Sequence, residues 1–327
     1  MPVMSRASLS LLAAMLMLPG PVFPQAENYP ARPVTIIVPL APGAATDAEG
    51  RVWTNKLSES LGQQFVMDFK PGGSMTLGLS YVVRQKPDGY TLTFVSSTYT
   101  LLPVLFKELP FDTAKNLEPV SLLSKRGAIL VVSNNLPVHT VQEYIAYARA
   151  NPAKINFATS GNSSVQYMMG LWLASATDTK VTYVHYKASS AAYPDLIAGR
   201  VQMLPTTFSG GYPIVRTGKA RAIGVANLQR SKLMPDLPTV VEQGIPDYEY
   251  PSWIGLMAPE RTPVAIINKL HAEAVKIAKL PDVQQKLGED TTLVANTPEQ
   301  FRRLIASETE RWRKLVVDNN IKFEEAN

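Results

Sequence analysis

The chain has 327 residues, 46% of them hydrophobic and 18% charged, with three histidines, no cysteine and a formal charge of +5. That is an ordinary globular balance on a chain long enough for two lobes, and the missing cysteine excludes a disulfide framework, thiol catalysis and a lipid anchor on cysteine. The positive charge forms no nucleic-acid stripe, because Arg302-Arg303, Arg311 and Arg313-Lys314 alternate with Glu308 and Glu310 on a solvated face.

Residues 1–26 read as an export signal: Arg6 supplies the positive start, Ala7 to Leu18 an apolar run, and Pro19-Gly20-Pro21 the break. The run is shorter than the roughly 20 residues that span a bilayer. Gln25-Ala26 offers the cleavage site, although Pro24 stands where a small residue is usual. The expected destination is the periplasm, with a net charge of +4 once Arg6 has left.

Val34 to Pro39 is almost continuously apolar, as in a strand buried on both faces. The loop Leu40 to Ala45 follows, and Thr46 and Glu49 have the spacing of a capping box for a helix that buries Val52, Leu57 and Leu61 and stops at Gly62. Gln64 to Phe69 reads as a strand, Pro71 to Ser74 as a turn, Met75 to Gln85 as a helix and Thr91 to Val95 as the next strand. Further strands are expected at 129–133, 155–159, 181–184, 201–204, 220–226 and 253–258. Thr140-x-x-Glu143 and Ser163-x-x-Gln166 would cap helices, and Thr262-Pro263 and Thr297-Pro298 would open the last two. Alternating strands and helices predict an α/β fold with parallel sheets. Without a flexible linker, the lobes must be joined by crossing strands, near Gly127 to Leu130 and Pro251 to Gly255. The expected division is residues 27–128 with 254–327 in lobe 1 and 129–253 in lobe 2.

No metal, nucleotide or nucleophile motif can be assembled: the histidines at 139, 185 and 271 are far apart, and no G-x-S-x-G or phosphate loop occurs. No cofactor is called for. What recurs is a strand ending in small and hydroxylated residues just before a helix. It is seen at Ala44-Ala45-Thr46-Asp47, Ser97-Thr98, Ser160-Gly161-Asn162-Ser163 and Thr206-Thr207. In open α/β sheets ligands sit at the carboxyl ends of strands, and helix N-termini favour anions. The same residue types also cap helices, but four such loops together point to a carboxylate site. Asp47 reads as a first-turn dipole partner.

These motifs resemble the Bug or TctC family, the extracytoplasmic binding receptors of tripartite tricarboxylate transporters. The likeness runs through PLAPGAATD (39–47), KPDGYTL (86–92), LPFDTAKNLEPVSLL (109–123), NFATSGNSS (156–164), MPDLPTVVEQGIPDYE (234–249) and SWIGLMAPERTP (252–263). It implies a type II periplasmic-binding-protein fold of two α/β lobes closing on a ligand cleft, with no catalysis. The ligand it implies is an amino acid, a di- or tricarboxylate or an aromatic acid. The resemblance places Ala44 to Asp47 and Ser160 to Ser163 at that ligand, and implies large and small permease subunits as partners of a monomeric receptor. A receptor that signals without transport and an exported enzyme are the rival readings. Three departures stand out: Leu40 replaces the family's aromatic, Gly43-Ala44 its Gly-Gly and Thr206 its Asp. The last removes an acceptor for a ligand ammonium, so an acid without an amine is expected.

Overall fold

The computed structural model describes residues 28–42, 45–161 and 164–318; the expected export signal, Ala44, Asn162, Ser163 and the side chain of Ala45 lie outside the described residues. VTIIV forms β1 (Val34–Val38). Its side chains alternate between two cores: Val34, Ile36 and Val38 pack with Trp53, Leu57, Ile266 and Leu270, while Ile37 packs with Leu79, Leu102 and Phe301. The apolar run is continuous because both faces of the sheet are covered by helices.

This sheet takes β2 (Phe65–Phe69), β3 (Thr91–Ser96), β4 (Leu117–Arg126), β10 (Trp253–Pro259) and β11 (Thr291–Leu293) beside β1, in the order β11-β4-β10-β3-β1-β2. On it pack α1 (Ala45–Leu61), α2 (Thr76–Val82), α3 (Leu102–Leu105), α8 (Val264–Ala278), α9 (Pro281–Leu287) and α10 (Pro298–Asp318). The second sheet has the order β7-β6-β8-β5-β9, from β5 (Ala128–Ser133), β6 (Asn156–Thr159), β7 (Thr182–His185), β8 (Met203–Thr207) and β9 (Ala220–Val225). Its helices are α4 (Val141–Ala150), α5 (Val165–Thr177), α6 (Ser189–Ile197) and α7 (Phe208–Arg216). The two-face rule repeats in β5: Leu130 and Val132 pack with Tyr144 and Met168, whereas Ile129 and Val131 pack with Leu196 and Phe208.

The expectation of parallel sheets holds only in part. β1, β2 and β3 are parallel, as are β6, β7 and β8, but β4, β10, β5 and β9 pair antiparallel to their neighbours. These four strands lead into or out of the crossings, where the chain leaves one sheet and enters the other; β11, also antiparallel to β4, does not. β4 ends at Arg126, β5 begins at Ala128 with Gly127 between them, and the return runs from Val225 to Trp253. The two passages are tied by Arg126 N donating to Ser252 O at 2.7 Å and by Ala128 N donating to Asn227 Oδ1 at 2.8 Å. β4 is absent from the sequence reading, since Pro119 and five polar residues interrupt its apolar pattern.

The caps follow local rules. Thr140 accepts from Glu143 N, and Thr297 and Gln300 form a reciprocal box at 3.2 and 3.0 Å ahead of Pro298. Two expected caps differ. Ser164, one residue later than expected, caps α5 by accepting from Tyr167 N. Thr46 lies inside α1, and Glu49 turns into the core, so the pair forms no capping box.

Candidate ligand-binding cleft

Register decides where the strand ends lie. Ser96, the last residue of β3, is level with Ile254, one step from the Trp253–Lys125 pair at the crossing. Thr207, the last residue of β8, is level with Ala128, the first residue beyond it. Parallel neighbours carry the same level outward: β1 and β2 with β3, and β6 and β7 with β8. The carboxyl edges of both sheets therefore meet at the crossover, and the loops on those edges are the two walls of the candidate cleft.

On the first wall, the loop after β2 holds Ser74 and Met75 at φ 49° and 83°, left-handed backbone that only surrounding structure sustains. Met75 is buried beneath Ser96, whose Oγ lies 3.6 Å from its Sδ. Ser97 is buried and its carbonyl accepts from Thr100 Oγ1 at 2.8 Å, while Thr98 is half-buried. Thr46 is buried, and Asp47 stands in the first turn of α1, where it pairs with Arg51 at 2.7 Å.

On the second wall, Ser160 and Gly161 are half-buried, and a side chain built on Gly161 would meet open space. Ser160 donates to the Gln166 amide oxygen, and the Gln166 amide nitrogen donates to Ser189 Oγ at the start of α6. Thr159 Oγ1 lies 2.6 Å from His185 Nδ1. Thr207 and Ser209 hydroxyls are 3.0 Å apart. Thr206 is 2% exposed and turned the other way, toward α6, with its hydroxyl 3.1 Å from the Tyr193 phenol.

Comparison with known proteins accounts for this architecture. Residues 50–321 match the family model described as tripartite tricarboxylate transporter family receptor. The chain belongs to that family. Protein BugT of Bordetella pertussis is 30% identical over 91% of this chain and 92% of its own. A protein encoded in the tcbD–tcbE intergenic region of Pseudomonas sp. (strain P51) is 33% identical over 89% and 88%. Among solved structures, R. palustris Rpa4515 with adipate is similar at a TM-score of 0.80 and 28% identity, over 90% of this chain and all of the other. MatC from Rhodopseudomonas palustris with bound malate gives 0.76 and 29%, over 88% and all of the other. The chain is thus a periplasmic solute-binding protein of the Bug/TctC type.

Three phenols lie behind the second wall: Tyr186 donates to Asp195 Oδ2 at 2.6 Å, Tyr193 meets Thr206, and Tyr167 packs edge-on against the His185 ring. Burial raises the Tyr193 and Tyr167 phenols, and burial together with the Asp195 hydrogen bond pushes Tyr186 up to about 12, so all three stay protonated donors at neutral pH. Sequence reasoning gave Gln166 only a capping role and did not single out Ser189 or Tyr193. The first is a polar residue inside the apolar run of α5, and Ser189-Ser190 repeats the hydroxyl-before-helix pattern after β7; either signal was open to notice. Nothing local marks Tyr193.

Proposed function

We propose that this receptor captures a small di- or tricarboxylate, or an aromatic acid, between its two walls and passes it to the large and small membrane subunits of a tripartite permease. It does so as a monomer exported to the periplasm. One observation carries the reading: strand-end loops from both sheets meet at the crossover, and they present hydroxyls, backbone N–H groups and helix N-termini. Such groups recognise a carboxylate through hydrogen bonds and helix dipoles. Adipate and malate in two similar receptors support the same ligand class. Ala44, Ala45, Thr46, Asp47, Ser97, Thr98, Ser160, Gly161, Asn162, Ser163 and Thr207 are the proposed contacts. Thr206 acts at one remove, because its hydroxyl is engaged by Tyr193.

A thermal-shift screen against C4 to C6 dicarboxylates, citrate and benzoate tests the proposal. A ligand that binds the folded state at 100 times its Kd adds ~2.7 kcal/mol. Small-angle scattering with the hit should show a smaller radius of gyration as the walls close. If amino acids stabilise the protein and amine-free acids do not, the ligand class is wrong. If no acid stabilises it at millimolar concentration, the functional reading fails.

A further inference from the structure

A buried acid sits where the cleft, the crossover and the C-terminal helix meet. Glu308 of α10 is 5% exposed. Both of its oxygens lie 3.0 Å from Trp253 Nε1 at the start of β10, and Oε2 lies 3.2 Å from Thr100 Oγ1. The Thr100 hydroxyl has two further neighbours, the Ser97 carbonyl at 2.8 Å and Trp312 Nε1 at 3.1 Å. A hydroxyl brings one proton and two lone pairs. Of the two acceptors within its reach the Ser97 carbonyl is the nearer, at 2.8 Å against 3.2 Å, so it takes the Thr100 proton. The Trp312 N–H can only donate, so it takes one lone pair. The contact between Thr100 and Glu308 then has no proton unless Glu308 supplies it.

We infer that Glu308 carries a proton at the hinge, and that this proton couples ambient pH to the cleft through Thr100 and Ser97. The charged groups around Glu308 are committed elsewhere. On β4, Lys125 pairs with Glu249 at 3.6 Å and Arg126 with Glu49 at 2.7 Å; on α10, Arg311 lies over the Trp172 ring at 5.2 Å. Burial pushes the Glu308 carboxyl up to about 7, against the smaller opposing pulls of Trp253, Lys125, Thr100 and Arg311. A small cavity lined by Lys125, Arg126, Asn227, Glu249, Ser252 and Glu308 connects the acid with solvent.

When the proton leaves to solvent, the carboxylate must accept where it had donated. The single Thr100 proton turns to Glu308, and the Ser97 carbonyl loses its hydroxyl partner, keeping only the Thr100 backbone N–H of the 3-10 turn Ser97–Leu101. This rests on the proposed function only in taking the Ser97 loop as part of the acid site. The sign follows from linkage. An acid whose folded pKa lies above its unfolded value contributes stability that is complete below the unfolded pKa and is lost as pH rises through about 7.

The test begins without ligand. The Thr98 amide, which shares a peptide unit with the Ser97 carbonyl, should titrate by NMR with a midpoint near that of the Glu308 side-chain carboxyl. Glu308→Gln keeps a donor toward Thr100 and should abolish the titration. Thr100→Val should leave Glu308 titrating but silence Thr98. In calorimetric titration of the wild type, adipate and malate should bind severalfold more weakly at pH 8.5 than at pH 6, and with constant affinity in Glu308→Gln. A Glu308 carboxyl already ionised at pH 6, or a Thr98 titration that survives in either variant, overturns the inference. Failure of every acid to bind at any pH sinks the functional reading alone, since the ligand-free titrations still decide where the proton sits.

Discussion

Glu49→Ala removes a fully buried carboxylate that holds Arg126 at 2.7 Å and also accepts from Trp53 Nε1 at 3.3 Å and from Ser124 Oγ. The Arg126 side chain is itself only 12% exposed, so solvent cannot replace the lost partner. Breaking a buried ion pair by deleting one member costs about 3–5 kcal/mol, because the other charge stays desolvated. A capping role for Glu49 would instead be worth about 1 kcal/mol. Urea unfolding of wild type and Glu49→Ala separates the two. Glu49→Gln keeps the shape and the acceptor toward Trp53 but leaves Arg126 without a counter-charge, and should fall between. Pairing Glu49→Met with Arg126→Met should recover much of the loss, since an apolar pair of similar volume can match a buried ion pair. A loss near 1 kcal/mol that is unchanged by the second substitution would refute the buried-pair argument.

Three further outcomes follow from the packing. Gly255→Ala places a methyl group into the Phe301 ring, which is buried against Trp253 at 5.4 Å between centroids; it should cost about 1–3 kcal/mol in thermal unfolding, and Phe301→Leu should relieve it. Ser164→Ala loses the cap of α5 and the 2.7 Å bond to Gly161 O, so stability should fall by about 1 kcal/mol, as read by denaturant midpoint at constant slope. Thr206→Asp buries a carboxylate beside Tyr193, which should destabilise by roughly 1–3 kcal/mol and weaken acid binding more at 20 mM than at 500 mM salt; unchanged affinity in titration would show that this position does not reach the ligand.

The sequence by itself determined the elements whose information is local. β1 and β5 were legible because two-sided burial leaves an unbroken apolar run, and the Thr140 and Thr297 caps because a cap is closed by residues three positions apart. The hydroxyl-bearing strand ends were legible for the same reason, and so was the crossing near Gly127. Tertiary structure alone decided which partners those residues meet. Glu49 has cap spacing from Thr46, yet its carboxylate is taken by Arg126, 77 positions away; Glu308 reads as part of a solvated charged stripe, yet it closes on Thr100 from 208 positions away. Thr206 sits at a strand end in the pattern of a ligand loop, but the pleat turns it toward Tyr193 and away from the cleft. Period and cap geometry are fixed within one or two turns of chain. The burial of a charge and the acceptor for a single proton depend instead on strand order and on how the two sheets meet, which no local pattern carries.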